Sequence, residues 1–221
     1  MPLETSYQEK EGKKGEGGMV VLEIGVDEAG RGPMFGRVYS AAVVLPKDPT
    51  VFDHSRMKDS KRFHSKKKIQ EAAEYIQANA VAWEVTFEDE RMIDDINILQ
   101  ATQLSMHRSV AGVVAKLGVD TEKLVLVDGN YFNPIPGLRH VCVEGGDNKY
   151  SCIAAASILA KVWRDRYIEE MCAAHPELVE RYALEKNKGY GTQEHMAGLK
   201  MHGPSPWHRR TFGMLKAPPT F

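Results

Sequence analysis

The 221-residue chain is 43% hydrophobic and 27% charged, with a formal net charge of −1. That balance excludes a protein that coats nucleic acid by charge alone, while leaving room for a local basic groove. Three scattered cysteines, Cys142, Cys152 and Cys172, exclude a disulfide framework and a zinc site and read as the reduced thiols of a cytoplasmic protein.

Residues 1–18, polar and glycine-rich, predict a disordered tail ahead of a single domain spanning 19–221. No apolar run there resembles a secretory signal, and none elsewhere reaches membrane-spanning length. Residues 20–26 predict a strand and 38–45 a second, the glycine-rich gap between them suggesting an antiparallel pair. After an irregular polar stretch, 64–77 carries Ile69, Ala72, Ala73 and Ile76 at helical spacing. Residues 80–87 predict a third strand, and 94–117 a helix with Ile98, Ala101, Leu104, Val110 and Val114 on one face.

Residues 124–127 are apolar at every position, the pattern of a central strand covered on both faces. A fifth short strand is expected at 140–143 and the longest helix at 151–174. Within that helix, Ala154-Ala155-Ala156 is small enough for another backbone to approach closely. Helices near 177–185 and 192–201 complete the chain. The order implies an α/β fold, one mixed sheet of about five strands flanked by helices, with a helical C-terminal extension.

Chemistry concentrates where apolar runs end. The first run delivers Asp27 and Glu28 side by side and breaks into Gly30-Arg31-Gly32. Adjacent carboxylates repel, and a bound cation relieves the repulsion. The loop offers close backbone approach and one guanidinium, both suited to a phosphodiester. Asp128 leaves the central run, and Asp147 precedes the long helix. If the first and fourth strands are neighbours, Asp27 and Asp128 stand about 5 Å apart, a separation suited to a shared ion. Oxygen-only ligands favour magnesium or manganese over zinc or copper. Taken singly, Asp27 and Asp128 also suit turns, and Asp147 suits a helix start.

At these residues the chain resembles ribonuclease HII, the prokaryotic type 2 ribonuclease H. The resemblance rests on Asp27-Glu28-Ala29-Gly30-Arg31-Gly32-Pro33, Asp59-Ser60-Lys61, Val127-Asp128-Gly129-Asn130, Arg164-Asp165-Arg166, Lys188-Gly189-Tyr190-Gly191-Thr192 and His208-Arg209-Arg210. It implies a ribonuclease H-like fold for 19–221 and cleavage of the RNA strand in RNA–DNA hybrids. It also implies incision 5′ to single ribonucleotides embedded in duplex DNA, leaving 5′-phosphate and 3′-hydroxyl ends. Two divalent ions, Mg2+ or Mn2+, are expected with substrate, on Asp27, Glu28, Asp128 and Asp147 as catalytic and metal-binding residues.

Asp165 is the alternative to Asp147, although it sits four residues from Lys161, where a helical ion pair explains it. Gly30, Arg31 and Gly32 would read the 2′-hydroxyl, Tyr190 would pack on the sugar of the next deoxynucleotide, and Lys61 and Lys161 would contact phosphate. Ser157 would sit beside the metals. His208-Arg209-Arg210 reads as an anchor for a C-terminal helix rather than a DNA contact. The chain departs from the family pattern at Met34-Phe35-Gly36-Arg37, at Asn187 and at Trp207. A monomer acting on hybrid and ribonucleotide-containing DNA, away from membranes, is expected. The rivals are a related nuclease such as a junction resolvase, and a nucleic-acid-binding module whose acids only cap turns.

Overall fold

β1 (Leu22–Ala29) lies at the middle of the sheet and makes two kinds of partnership. It runs antiparallel to β2 (Val38–Val44) and parallel to β4 (Lys123–Asp128). β3 (Ala82–Glu88) extends the sheet beyond β2, and β5 (Arg139–Val143) beyond β4, giving the order β3-β2-β1-β4-β5. The computed structural model describes residues 2–7, 21–118 and 121–216.

Side-chain alternation divides the core into two layers. Ala41, Val43, Leu124 and Leu126 face α1 (Lys66–Asn79) and α3 (Ser151–Ala174). Ile24, Val26, Ala42, Val44, Val125 and Val127 face α2 (Glu90–Leu117). The uninterrupted apolar run of β4 is thus a strand covered on both faces, as its composition predicts. α4 (Pro176–Tyr182), α5 (Leu184–Asn187) and α6 (Gln193–His202) form the C-terminal extension around Tyr167, Ile168, Leu178 and Tyr182. Among the described residues no helix is long and apolar enough to cross a membrane.

Four local expectations change. β1 continues past Val26 because β2 still pairs with it, Asp27 opposite Ala41 and Glu28 opposite Ser40. The two carboxylates therefore sit on the last rungs of a strand, not in the turn after it. The helix expected from 94 begins at Glu90, where Asp89 accepts a bond from the Met92 amide at 2.9 Å. It is broken at Asn97 (φ 68°), whose side chain caps the restart through the Leu99 and Gln100 amides. The helix expected over 177–185 splits into α4 and α5 at Ala183, which is left-handed (φ 52°).

The tail is the fourth. Residues 2–7 dock on the body, although disorder was expected for all of 1–18. The Glu4 amide donates to the Lys149 carbonyl at 2.7 Å, and the Ser151 amide donates to the Glu4 carbonyl at 3.0 Å. Ser151 opens α3, where amides lack intrahelical partners, so the segment satisfies a donor the helix cannot. Leu3 and Tyr7 cover the adjoining apolar layer. Residues 8–18 lie outside the described residues.

Candidate active site

The parallel pairing of β1 and β4, with Val26 opposite Val127, carries Asp27 and Asp128 to neighbouring positions at the strand ends. Asp128 continues the row of Leu124 and Leu126, and Asp27 that of Gly25, so both project on the α3 side. Asp147 comes from the short 3-10 turn Gly146–Asn148 that leads into α3. The Gly146 amide donates to Asp128 Oδ1 at 2.6 Å, which fastens that turn to the end of β4.

These three and Glu28 line one cleft of about 280 Å3, together with Gly30, Arg31, Gly32, Ser60, Lys61, Ser157, Lys161, Arg164, Asp165 and Tyr190. Every residue expected from the sequence to act in catalysis, metal binding or substrate binding therefore borders a single opening. Such a place, at the C-terminal ends of adjacent parallel strands, is where open α/β sheets bind ligands.

The electrostatics are those of crowded anions. Burial, then the charges of Glu28 and Asp128, push the Asp27 carboxyl well above the usual range, against the pull of the Ser157 hydroxyl and the Glu28 amide. Glu28 is raised by burial, an effect tempered by Arg31 at 3.5 Å and reinforced by Asp128. Asp147 is raised by burial and by Asp128 and Asp59, with Lys61 opposing. Asp165 is otherwise engaged: it accepts from Lys161 Nζ at 2.8 Å, the helical ion pair expected from their spacing. Asp147 lies in the field of Asp128.

Four oxygen donors held in mutual repulsion suit a hard divalent cation. Among the described residues, however, no three carboxylate, thiol or imidazole groups already enclose a common point. Each acid is turned to a donor of its own: Asp27 to the Glu28 amide, Asp128 to the Gly146 amide, Asp147 to Asn148 Nδ2 and Glu28 to Arg31. The donor set fits the metal, and side-chain rotation is what would complete the cage.

Two loops rim the cleft. Gly30 has a left-handed φ of 97°, and a Cβ there would lie 2.5 Å from Arg164 Nε, so only glycine fits above that arginine. Gly32 lies under the Tyr190 ring, whose edge would be 3.3 Å from an added Cβ. Tyr190 is 50% exposed, its ring open to solvent on the rim. Asn187, a departure from the family pattern, braces this loop: its Oδ1 accepts from the Gly189 amide at 2.8 Å and its Nδ2 donates to the Tyr182 carbonyl at 2.7 Å.

Beneath the loops lie groups to which sequence reasoning assigned no part in the site. Arg164 is buried in α3 and donates through Nη2 to the Lys188 carbonyl at 2.5 Å. Its position was legible in principle, because Ala160 and Ile168, one helical turn to either side, are buried. His195 and His208 form a buried relay. The Ser205 amide donates to His208 Nδ1, so His208 carries its proton on Nε2 and gives it to His195 Nε2 at 2.9 Å. His195 then donates from Nδ1 to the Tyr190 carbonyl at 2.9 Å. Burial pulls His208 down to about 3, with His195 adding to the effect, so the relay is neutral near pH 7. No hydropathy signal marks these residues.

A mixed sheet in this order, with acids at the ends of its central pair and a helix across them, defines a ribonuclease H-like nuclease. The ribonuclease H2 of Pyrococcus horikoshii shares the fold, with a TM-score of 0.68 at 22% identity over 88% of this chain and 95% of that one. The ribonuclease HII of Archaeoglobus fulgidus, solved in complex with PCNA, gives 0.66 at 25% identity over 87% and 96%. The family model described as Ribonuclease HII matches residues 24–214. A ribonuclease HII of Bacteroides thetaiotaomicron is 45% identical over 195 residues, covering 88% of this chain and 91% of the relative. The chain belongs to the ribonuclease HII family, and as a type 2 ribonuclease H it is a nuclease of RNA–DNA hybrids.

Proposed function

We propose that this cleft hydrolyses the RNA strand of hybrids with Mg2+ or Mn2+, and incises duplex DNA 5′ to a single embedded ribonucleotide, leaving 5′-phosphate and 3′-hydroxyl ends. The observation that carries the reading is the shared cleft, in which Asp27, Glu28, Asp128 and Asp147 meet the Gly30-Arg31-Gly32 loop. Asp27, Glu28, Asp128 and Asp147 are the residues that would hold the ions, which when bound supply Lewis acidity at the scissile phosphate and activate water.

The chain's own residues divide the remaining work. Ser157 favours the charged form of Asp27 and steadies it, itself held by Ser60 at 3.0 Å. Lys61 and Lys161 put positive charge on the cleft wall where phosphates would lie. The amides of the Gly-Arg-Gly loop meet the 2′-hydroxyl, the group that separates RNA from DNA. The exposed Tyr190 ring packs on the sugar of the following deoxynucleotide, which favours an RNA-to-DNA junction. Every one of these groups belongs to a single copy of the chain, consistent with a working monomer.

Because burial and mutual repulsion raise the Asp27, Glu28 and Asp147 carboxyls, their ionised, cation-binding forms gain as pH rises. Activity should accordingly climb from acid to neutral and alkaline pH. The deciding assay is gel analysis of a DNA duplex with one ribonucleotide, with and without chelator, beside an all-DNA junction. Cleavage at the ribonucleotide alone, lost with chelator and restored by Mg2+ or Mn2+, is expected. Asp128→Asn should abolish it while the circular dichroism spectrum and melting temperature stay near wild type. Cleavage by folded Asp128→Asn, or in excess chelator, would overturn the assignment.

A further inference from the structure

Arg209 is among the largest completely buried side chains of the molecule, and among the described residues it has no carboxylate within salt-bridge distance. Burying a guanidinium without a counter-ion is costly unless its donors are met. Here they are met by four main-chain oxygens of one short segment. Nε donates to the Gly36 carbonyl at 2.7 Å, Nη1 to those of Arg31 and Pro33 at 3.1 and 2.7 Å, and Nη2 to that of Gly30 at 2.7 Å. The segment carrying Arg209 lies directly alongside: the Arg209 amide donates to the Met34 carbonyl at 2.9 Å, and the Gly36 amide to the Trp207 carbonyl at 2.9 Å.

The same loop's donors are differently placed. Arg31 and Gly32 are exposed, and among the described residues no protein group accepts from either amide. The loop thus has its Gly30, Arg31 and Pro33 carbonyls held from within and its Arg31 and Gly32 amides open at the cleft. A planar fork with five donors in fixed directions can hold several carbonyls at once, which a lysine ammonium cannot reproduce.

We propose that Arg209 is the positioning residue for ribonucleotide recognition: by drawing the Gly30, Arg31 and Pro33 carbonyls inward it keeps the loop's amides aimed at the ribose. The inference rests on the reading of the Gly-Arg-Gly loop given above, and it assigns to the C-terminal His208-Arg209-Arg210 segment a part in specificity as well as in anchoring. His208, through His195, fixes the Tyr190 carbonyl. Consecutive residues thereby hold the two rims of the cleft in register.

The test compares binding of two labelled DNA duplexes, identical except for one ribonucleotide, by fluorescence anisotropy in chelator so that metal plays no part. The wild type should bind the ribonucleotide duplex at least fivefold more tightly. Arg209→Lys should reduce that preference to under twofold while binding the all-deoxy duplex within twofold of wild type. A folded Arg209→Lys protein that melts lower yet keeps the full preference makes Arg209 merely structural and overturns the proposal alone. A wild type with no preference overturns the reading of the loop and the proposal with it. Should Arg209→Lys fail to fold, the wild-type Arg209 Nε–H resonance decides. It should move when the ribonucleotide duplex is added and stay when the all-deoxy duplex is added; equal responses would overturn the proposal.

Discussion

Gly25→Ala tests the close approach of β1 to α3. A Cβ at Gly25 would lie 2.2 Å from the Cys152 carbonyl carbon, 2.4 Å from its oxygen and 2.5 Å from the Ile153 nitrogen. Unstrained carbon contacts begin at about 3.5 Å. Because the three obstructing atoms are main chain, no rotamer relieves the overlap, and β1 must move from α3 by roughly 1 Å. A gap of that size forfeits a quarter to a half of the dispersion attraction of each contact it opens. Adding the usual cost of overpacking, about 1–3 kcal/mol, the loss should reach about 4 kcal/mol. For a chain of this length that corresponds to a fall in melting temperature of about 8–16 °C. Cleavage should fall as well, since Asp27 lies two residues along β1 and Ser157 lies on α3. Gly112→Ala is the control: the three atoms nearest its Cβ all belong to the Glu84 side chain, the closest at 2.6 Å, and that side chain can swing away at the expense of its ion pair with Lys116. Gain of helix propensity, about 1 kcal/mol, offsets that loss. Thermal melts of the two variants should therefore diverge. A Gly25→Ala protein melting with wild type would refute the contact between strand and helix.

The buried histidines predict a pH effect. His208 titrates near 6.5 when unfolded but at about 3 when folded, so below pH 6.5 the unfolded chain takes up a proton that the folded chain refuses. Its contribution to stability is complete above pH 6.5 and wanes as pH falls, by about 2 kcal/mol at pH 5. The raised active-site carboxyls act in the opposite direction, since the folded state protonates them first. The readout is therefore the melting-temperature gap between wild type and His208→Gln, which should narrow by several degrees from pH 7 to pH 5; a constant gap would show that His208 is not held neutral. Deleting residues 2–7 strips Leu3 and Tyr7 from the core and the acceptor from the Ser151 amide. A loss of about 1–2 kcal/mol is expected by thermal or urea denaturation, and unchanged stability would mean that the segment does not dock.

Periodicity in the chain was enough to locate all five strands and the long helices, because burial of one face or two imposes a repeat that composition must obey. The alternation that sends Leu124 and Leu126 to one layer, and Val125 and Val127 to the other, is visible as an unbroken apolar run. Even the need for close packing against α3 was legible in Ala154-Ala155-Ala156, although the tightest contact falls at Gly25 with Cys152 and Ile153. The acids and the glycine loop were visible too, as chemistry-bearing residues placed at breaks in the apolar pattern, whereas Tyr190 was indicated only by the family resemblance.

The length of β1 was decided elsewhere. Its extension to Ala29 depends on β2 continuing to offer partners, a fact about the neighbouring strand and not about residues 27–29. The docking of Glu4 depends on an unsatisfied amide at Ser151, far along the chain. Arg209 lies 179 positions from Gly30, and a polar arginine in a polar motif carries no mark of complete burial. Sequence alone thus determined which segments bury apolar surface and which polar side chains are candidates for chemistry, since both follow from the residues' own solvation. Tertiary structure decided which donor meets which acceptor, because a buried polar group takes its partner from whatever backbone the fold has brought within about 3 Å.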